Sequence, residues 1–112
     1  DSVSGSGTTG IGQLSFADAS GLGVGQTWTD VTSSRAIETV YTNSTGKPIF
    51  ASVIGTTGTS AGMRWKIGGT ENSANVYTNS SNGRNEISVI VPDGVTYEVS
   101  GNATIQAWME LR

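Results

Sequence analysis

The sequence predicts an all-β protein, an antiparallel β-sandwich of about eight strands, and three observations carry that prediction. Short runs rich in β-branched and aromatic residues recur at the spacing of sandwiches and barrels. Turn signals separate them, at 55–62, Gly68-Gly69-Thr70, Ser81-Asn82-Gly83, Pro92-Asp93-Gly94 and Ser100-Gly101-Asn102. No window holds a helical apolar period for about ten residues without a breaker. Several Greek-key arrangements share this strand spacing, and the jelly roll is one of them.

Residues 1–22 form a Gly/Ser-rich entry segment, the tether expected of a domain within a longer parent chain. Within it, 14–19 offers either a short strand or a strip that packs on a neighbour. Residues 23–112 are the sandwich domain. The stretch Gly21-Leu22-Gly23-Val24-Gly25 resembles a phosphate loop only superficially, because neither a helix pattern nor a Walker lysine follows it, and an entry turn is expected.

The strand candidates are 27–32, 37–42, 48–55, 62–67, 74–78, 86–91, 95–100 and 104–111. Between the second and third, Asn43-Ser44-Thr45-Gly46 supplies left-handed backbone angles and favours a hairpin. Pro48 cannot donate to a ladder, so it belongs at a strand start. The motif Tyr-Thr-Asn-Ser occurs at 41–44 and 77–80, which recurring strand-to-turn chemistry explains.

Alternation assigns faces. Met63, Trp65 and Ile67 point inward while Arg64 and Lys66 point out; Ile87, Val89, Val91 and Val95, Tyr97, Val99 make two further inward rows. The 49–54 strand is apolar on both faces, which predicts cover from the core on one side and from a partner subunit on the other. In the last strand Ile105, Ala107, Met109 and Leu111 form the core row. That leaves Trp108 outward beside Thr104, Gln106, Glu110 and Arg112, as an interface residue, a sugar-stacking platform or a lid over a loop.

One domain of 112 residues buries about 65% of its extended surface, enough for a modest core. With six basic residues, scattered, and a net charge of −3, nucleic acid is not an expected partner. No apolar run reaches the ~20 residues of a membrane-spanning helix, so no insertion is expected. The chain contains no Cys and no His, which removes disulfides, thiolate and imidazole metal sites, and Ser-His-Asp or Cys-His catalysis. A glycosidase needs two carboxylates ~5–10 Å apart, and no paired acidic motif stands out. A non-enzymatic protein without cofactor or metal is the expectation. Asn43, Asn79 and Asn102 open glycosylation-type triplets, which the Asn/Ser/Thr-rich composition explains by coincidence.

Binding chemistry is better represented. An aromatic face and planar polar side chains suit a sugar, and Tyr77, Asn79, Asn82 and Arg84 lie close in sequence, with Asn72, Asn75 and Asn85 nearby. Arg64 and Lys66 could meet acidic sugars or phosphates. The alternative is that all of these are ordinary solvated loop residues.

The residues Gly23-Val24-Gly25-Gln26-Thr27-Trp28, then Asp30-Val31-Thr32-Ser33-Ser34-Arg35-Ala36, then Tyr41-Thr42-Asn43 with Gly46-Lys47-Pro48-Ile49, resemble the C-terminal domain of tailed-bacteriophage tail fibre and receptor-binding proteins. The ending fits too, with Val91-Pro92-Asp93-Gly94-Val95-Thr96-Tyr97 leading to Trp108-Met109-Glu110-Leu111-Arg112. The resemblance spans roughly 23–112 and carries no catalytic or ligand motif. It implies a homotrimeric tip, or knob, made in the host cytoplasm, carried on the virion, and attaching to a bacterial surface glycan or outer-membrane protein. Trp28, Phe50, Ile54 and Trp108 are the expected subunit-interface residues, and Arg64, Lys66, Tyr77, Asn79, Asn82 and Arg84 the expected ligand-binding ones. Two other readings remain: a structural trimerisation or capping module of a fibre, and a carbohydrate-binding module attached to an enzyme.

Overall fold

The computed structural model describes residues 21–72, 74–78 and 83–112. Its strands are β1 (Trp28–Asp30), β2 (Tyr41–Thr42), β3 (Ile49–Thr57), β4 (Met63–Ile67), β5 (Thr70–Glu71), β6 (Gly83–Val91), β7 (Thr96–Gly101) and β8 (Thr104–Leu111), with one 3-10 turn at Thr32–Ser34. They form two antiparallel sheets of order β1-β8-β3-β6 and β2-β7-β4-β5. β1 pairs with β8, β2 with β7, β3 with β6 and β4 with β5, while β3–β8 and β4–β7 contacts close each sheet. Such a ribbon of strand pairs rolled over itself is a jelly roll.

Between the sheets lie Ile49, Ala51, Val53, Ile87, Val91 and Trp108 from one side and Met63, Trp65, Tyr97 and Val99 from the other. The alternation expected for β4, β6 and β7 holds, and β3, expected to be apolar on both faces, turns Ile49, Ala51 and Val53 inward and Phe50 and Ile54 outward. The rings of Trp65 and Trp108 meet edge to face at 5.6 Å, and Tyr41 meets Trp108 the same way at 5.9 Å, so the aromatic contacts bridge the layers.

The last strand departs from expectation. Trp108 and Glu110 are both 0% exposed, whereas Met109 and Leu111 are only partly buried. The cause is a bulge: Ile54 pairs with Ala107 but Gly55 pairs with Ile105, leaving Gln106 as an extra residue. Strict alternation follows Ile105 inward correctly and then inverts every later residue. Trp108 is therefore a core residue, not a surface one. Gly55, at the bulge, leaves room for β4: a Cβ there would lie 2.7 Å from Met63 Sδ.

Other boundaries shift for local reasons. Residues 37–42 contribute only Tyr41–Thr42, because Glu38 turns at φ +61 and hangs on β7 through its carboxylate. Residues 74–78 make a single bridge, Val76 to Met63, while 70–71 forms a short strand where a turn was expected. Turn 43–46 joins β2 and β3 across the two sheets and so is not a hairpin. Asn43 holds it: buried at 1% exposure, its Nδ2 donates to the carbonyls of Lys47, Val91 and Pro92, and its Oδ1 accepts from Thr45. A buried Asn43 is also no glycosylation acceptor. The segment 14–19 lies outside the described residues.

Register fixes the ends of the sandwich. Ile49 faces Val91 and Phe50 faces Leu111 at one end, where Lys47 Nζ donates to the Val24 carbonyl at 2.9 Å and Gln26 Nε2 to the Pro48 carbonyl at 2.8 Å. That is the entry end. Thr57 faces Gly83 and Met63 faces Gly101 at the other, about 27 Å away along β3.

Glu110 carries a charge into this core. Its Oε2 accepts from Arg35 Nε (3.1 Å), Tyr97 Oη (2.9 Å) and Trp108 Nε1 (3.0 Å), and its Oε1 from Arg35 Nη2 (3.1 Å) and Arg112 Nη1 (2.6 Å). Arg35 completes a bidentate fork and lies over the Tyr41 ring, 4.7 Å from its centroid. Burial alone raises a carboxyl pKa, but the donors from Arg35, Tyr97 and Arg112 outweigh it and hold Glu110 below its ordinary value. A lowered folded-state pKa stabilises fully above the unfolded value, and that contribution is lost as pH falls through the folded value. The midpoint of thermal unfolding is therefore expected to drop as pH falls below about 4.3, followed by circular dichroism. Glu110→Gln, which leaves the largely buried Arg35 guanidinium without its carboxylate, is expected to cost about 3 kcal/mol near neutral pH in urea titrations and to flatten the acid limb. A wild-type melting temperature constant from about pH 5 to pH 2.5 contradicts the assignment.

Candidate functional site

Two surfaces of opposite chemistry emerge. The first is the outer face of the β1-β8-β3-β6 sheet at the entry end. Trp28 faces Leu111, Leu111 faces Phe50, and Phe50 faces Ile90, so four apolar side chains make one row across the four strands. Met109, Ala107 and Ile54 lie on the same face in the next rows. Trp28 is 53% and Ile90 52% exposed. Trp28 and Phe50 meet edge to face at 5.7 Å. Leu22 and Val24 of the entry segment are exposed as well. Further along the strands the face becomes polar, where Ser52 donates to Glu86 at 2.6 Å and Gln106 to Thr56 at 2.8 Å.

Of the expected interface residues, the structure brings Trp28, Phe50 and Ile54 onto this face and withdraws Trp108 from it. Leu111, Met109 and Ile90 take its place. Only the Gln106 bulge, which alternation cannot show, turns the first two outward.

The second surface lies on the β2-β7-β4-β5 sheet toward the far end. Arg64 Nη2 pairs with Glu71 at 3.0 Å, its Nη1 donates to Asn75 Oδ1 at 2.9 Å, and Asn75 Nδ2 donates to Tyr77 Oη at 3.1 Å. Lys66 shares the outward face of β4 and sits opposite Glu98 on β7 and Glu71 on β5. Glu38 adds a carboxylate, held below the ordinary range by the Gly101 amide and the Ser100 hydroxyl. Cations and carboxylates thus alternate on this face, and the positive potential expected from Arg64 and Lys66 is largely neutralised.

Asn75 thus ties Arg64 to Tyr77, and Lys66 shares the outward face of β4 with Arg64. Arg84 does not join them: it faces Thr56 on the outer side of the other sheet. Asn79 and Asn82 lie outside the described residues. Among the described residues, no three His, Cys, Asp or Glu side chains converge as a metal site, and no helix is long and apolar enough to cross a membrane. Comparisons with protein-family models, curated proteins and solved structures find no match.

Because Trp28 and Ile90 are half exposed on the single chain, replacing both by Thr is expected to change the stability of the isolated chain, read in urea titrations at dilutions where the midpoint no longer depends on protein concentration, by no more than about 1–1.5 kcal/mol. A larger loss would place the row in the core.

Proposed function

We propose that this domain is the non-enzymatic tip of a phage tail fibre, a homotrimer that attaches to a bacterial surface glycan or outer-membrane protein. The supporting observation is the placement of the two surfaces. The apolar row sits beside the chain's point of entry, where subunits of a fibre converge, and the polar Arg64–Asn75–Tyr77 surface sits toward the opposite end. A sheet face this apolar suits a protein neighbour, since charged residues are depleted at interface cores. A jelly roll serves lectins and capsids alike, so the fold is compatible with this role without selecting it. The residue types point away from catalysis, because the chain offers neither imidazole nor thiol. Threefold display of a weak site would raise avidity by ~10² or more.

Light scattering on the purified domain is expected to give three times the 11.5 kDa chain mass, and the Trp28→Thr/Ile90→Thr variant a monomer. Labelled trimers are expected to adhere to some members of a panel of bacterial strains. A monomeric wild type overturns the fibre reading in favour of a carbohydrate-binding module; trimers that adhere to no strain favour a capping module.

A further inference from the structure

We infer that Tyr77 is a stacking platform for a neutral pyranose, whose apolar C–H face would lie on the tyrosine ring while the surrounding amides meet its hydroxyls. This deepens the attachment reading and rests on it.

The ring is exposed and yet fixed. Tyr77 is 51% exposed, but its hydroxyl accepts from Asn75, and Asn75 is in turn held by Arg64. The tip of the ring rests on Gly62, where a Cβ would come within 2.8 Å of Tyr77 Cε1, so any larger residue at 62 would displace it. The backbone is pinned as well, through Asn85 Nδ2 to the Tyr77 carbonyl at 3.2 Å. A ring already immobilised loses little further entropy when a ligand stacks on it.

The neighbourhood distinguishes the ligand. Planar amides border Tyr77: Asn75 on the ring hydroxyl, Asn85 on the Tyr77 carbonyl and the Thr57 hydroxyl, and Asn102, which accepts from the Gly62 amide and donates to the Ser60 carbonyl. Sugars need such a mixture, an aromatic face beside side chains that both donate and accept. Among the described residues a second half-exposed aromatic, Trp28, stands among Leu111, Phe50 and Ile90, which suits a protein surface instead. Charge decides between neutral and acidic sugars. Arg64 is engaged by Glu71, and Lys66 lies opposite Glu98 and Glu71, so an anionic sugar would meet carboxylates as often as cations. Arg64 is thus a positioning residue for the ring.

Saturation-transfer NMR on the purified domain tests this, with methyl glycosides of galactose, glucose and N-acetylglucosamine set against glucuronic and sialic acid glycosides. Transfer is expected to the ring C–H protons of at least one neutral glycoside and not preferentially to the acidic ones. Tyr77→Ala is expected to weaken binding roughly fivefold to tenfold or abolish it, and Tyr77→Phe, which keeps the π-face and loses the Asn75 tether, to fall between Tyr77→Ala and the wild type. Tyr77→Leu fills similar space without a π-face and should also fail to bind while melting like the wild type. Absence of transfer to every neutral glycoside overturns the inference, as does transfer unchanged by Tyr77→Ala or a preference for acidic sugars. Cell adhesion separates the two proposals. Adhesion equal in wild type and Tyr77→Ala together with no Tyr77-dependent transfer overturns the platform and leaves attachment standing, whereas sugar binding through Tyr77 without adhesion to any strain upholds the platform and overturns attachment.

Discussion

The fold depends on one carboxylate placed between its two sheets. Removing Glu110 from water is costly, and only a full set of donors offsets that cost. Those donors come from separate parts of the chain: Tyr97 on β7, Trp108 on β8, Arg112 beyond β8, and Arg35 in the connection from β1 to β2. That connection has little ladder of its own, since β1 and β2 are the shortest partners in their sheets apart from β5. Arg35 on Glu110, Glu38 on Ser100 and Gly101, and the Ala36 amide on Tyr41 Oη hold it, beside backbone bonds from the Val31 amide to the Trp108 carbonyl and from the Glu38 amide to the Val99 carbonyl. A polar network thus closes the side of the sandwich that strand pairing leaves open.

The same network explains why a single extra residue matters so much. Gln106 turns Trp108 and Glu110 inward, and the identical step turns Met109 and Leu111 outward. Core and outer apolar surface are therefore two consequences of one bulge. If the strand ran without it, the carboxylate would be solvated, Arg35 would lose its partner, and the face beside Trp28 would lose Leu111 from the middle of its row. The chemistry buried inside and the chemistry offered outside cannot be varied independently.

Much of the architecture was legible in the sequence, because turn residues and period-2 alternation act locally. Strands β3, β4, β6, β7 and β8 fall where β-branched and aromatic runs lie, and Trp65 is core, as its alternation with Met63 and Ile67 requires. What stayed hidden were effects of pairing between distant segments. The Gln106 bulge arises against Ile54 and Gly55, the turn at Asn43 is captured by carbonyls of Val91 and Pro92, and Glu38 leaves its strand for β7. The candidate surfaces divide in the same way. Trp28, Phe50 and Ile54 were visible as an outward apolar set, while Leu111, Met109 and Ile90 become neighbours only through register. Arg64, Asn75 and Tyr77 were visible singly, and the bonds by which Asn75 joins the other two were not.

A jelly roll by itself selects no function, and the surroundings of its exposed rings set what each can meet. Trp28 and Tyr77 are almost equally exposed, at 53% and 51%, and differ in everything around them. Burying the Trp28 row against another apolar surface would gain roughly 25 cal/mol for each Å² removed from water, with few polar groups to desolvate. Covering Tyr77 in the same way would also bury the amide of Asn75 and the carboxylate of Glu71, and each unsatisfied group would oppose the contact. A ligand that brings its own hydroxyls avoids that penalty. The two ends of one small sandwich are thereby suited to different tasks, apolar association beside the point of chain entry and polar recognition toward the end farthest from it.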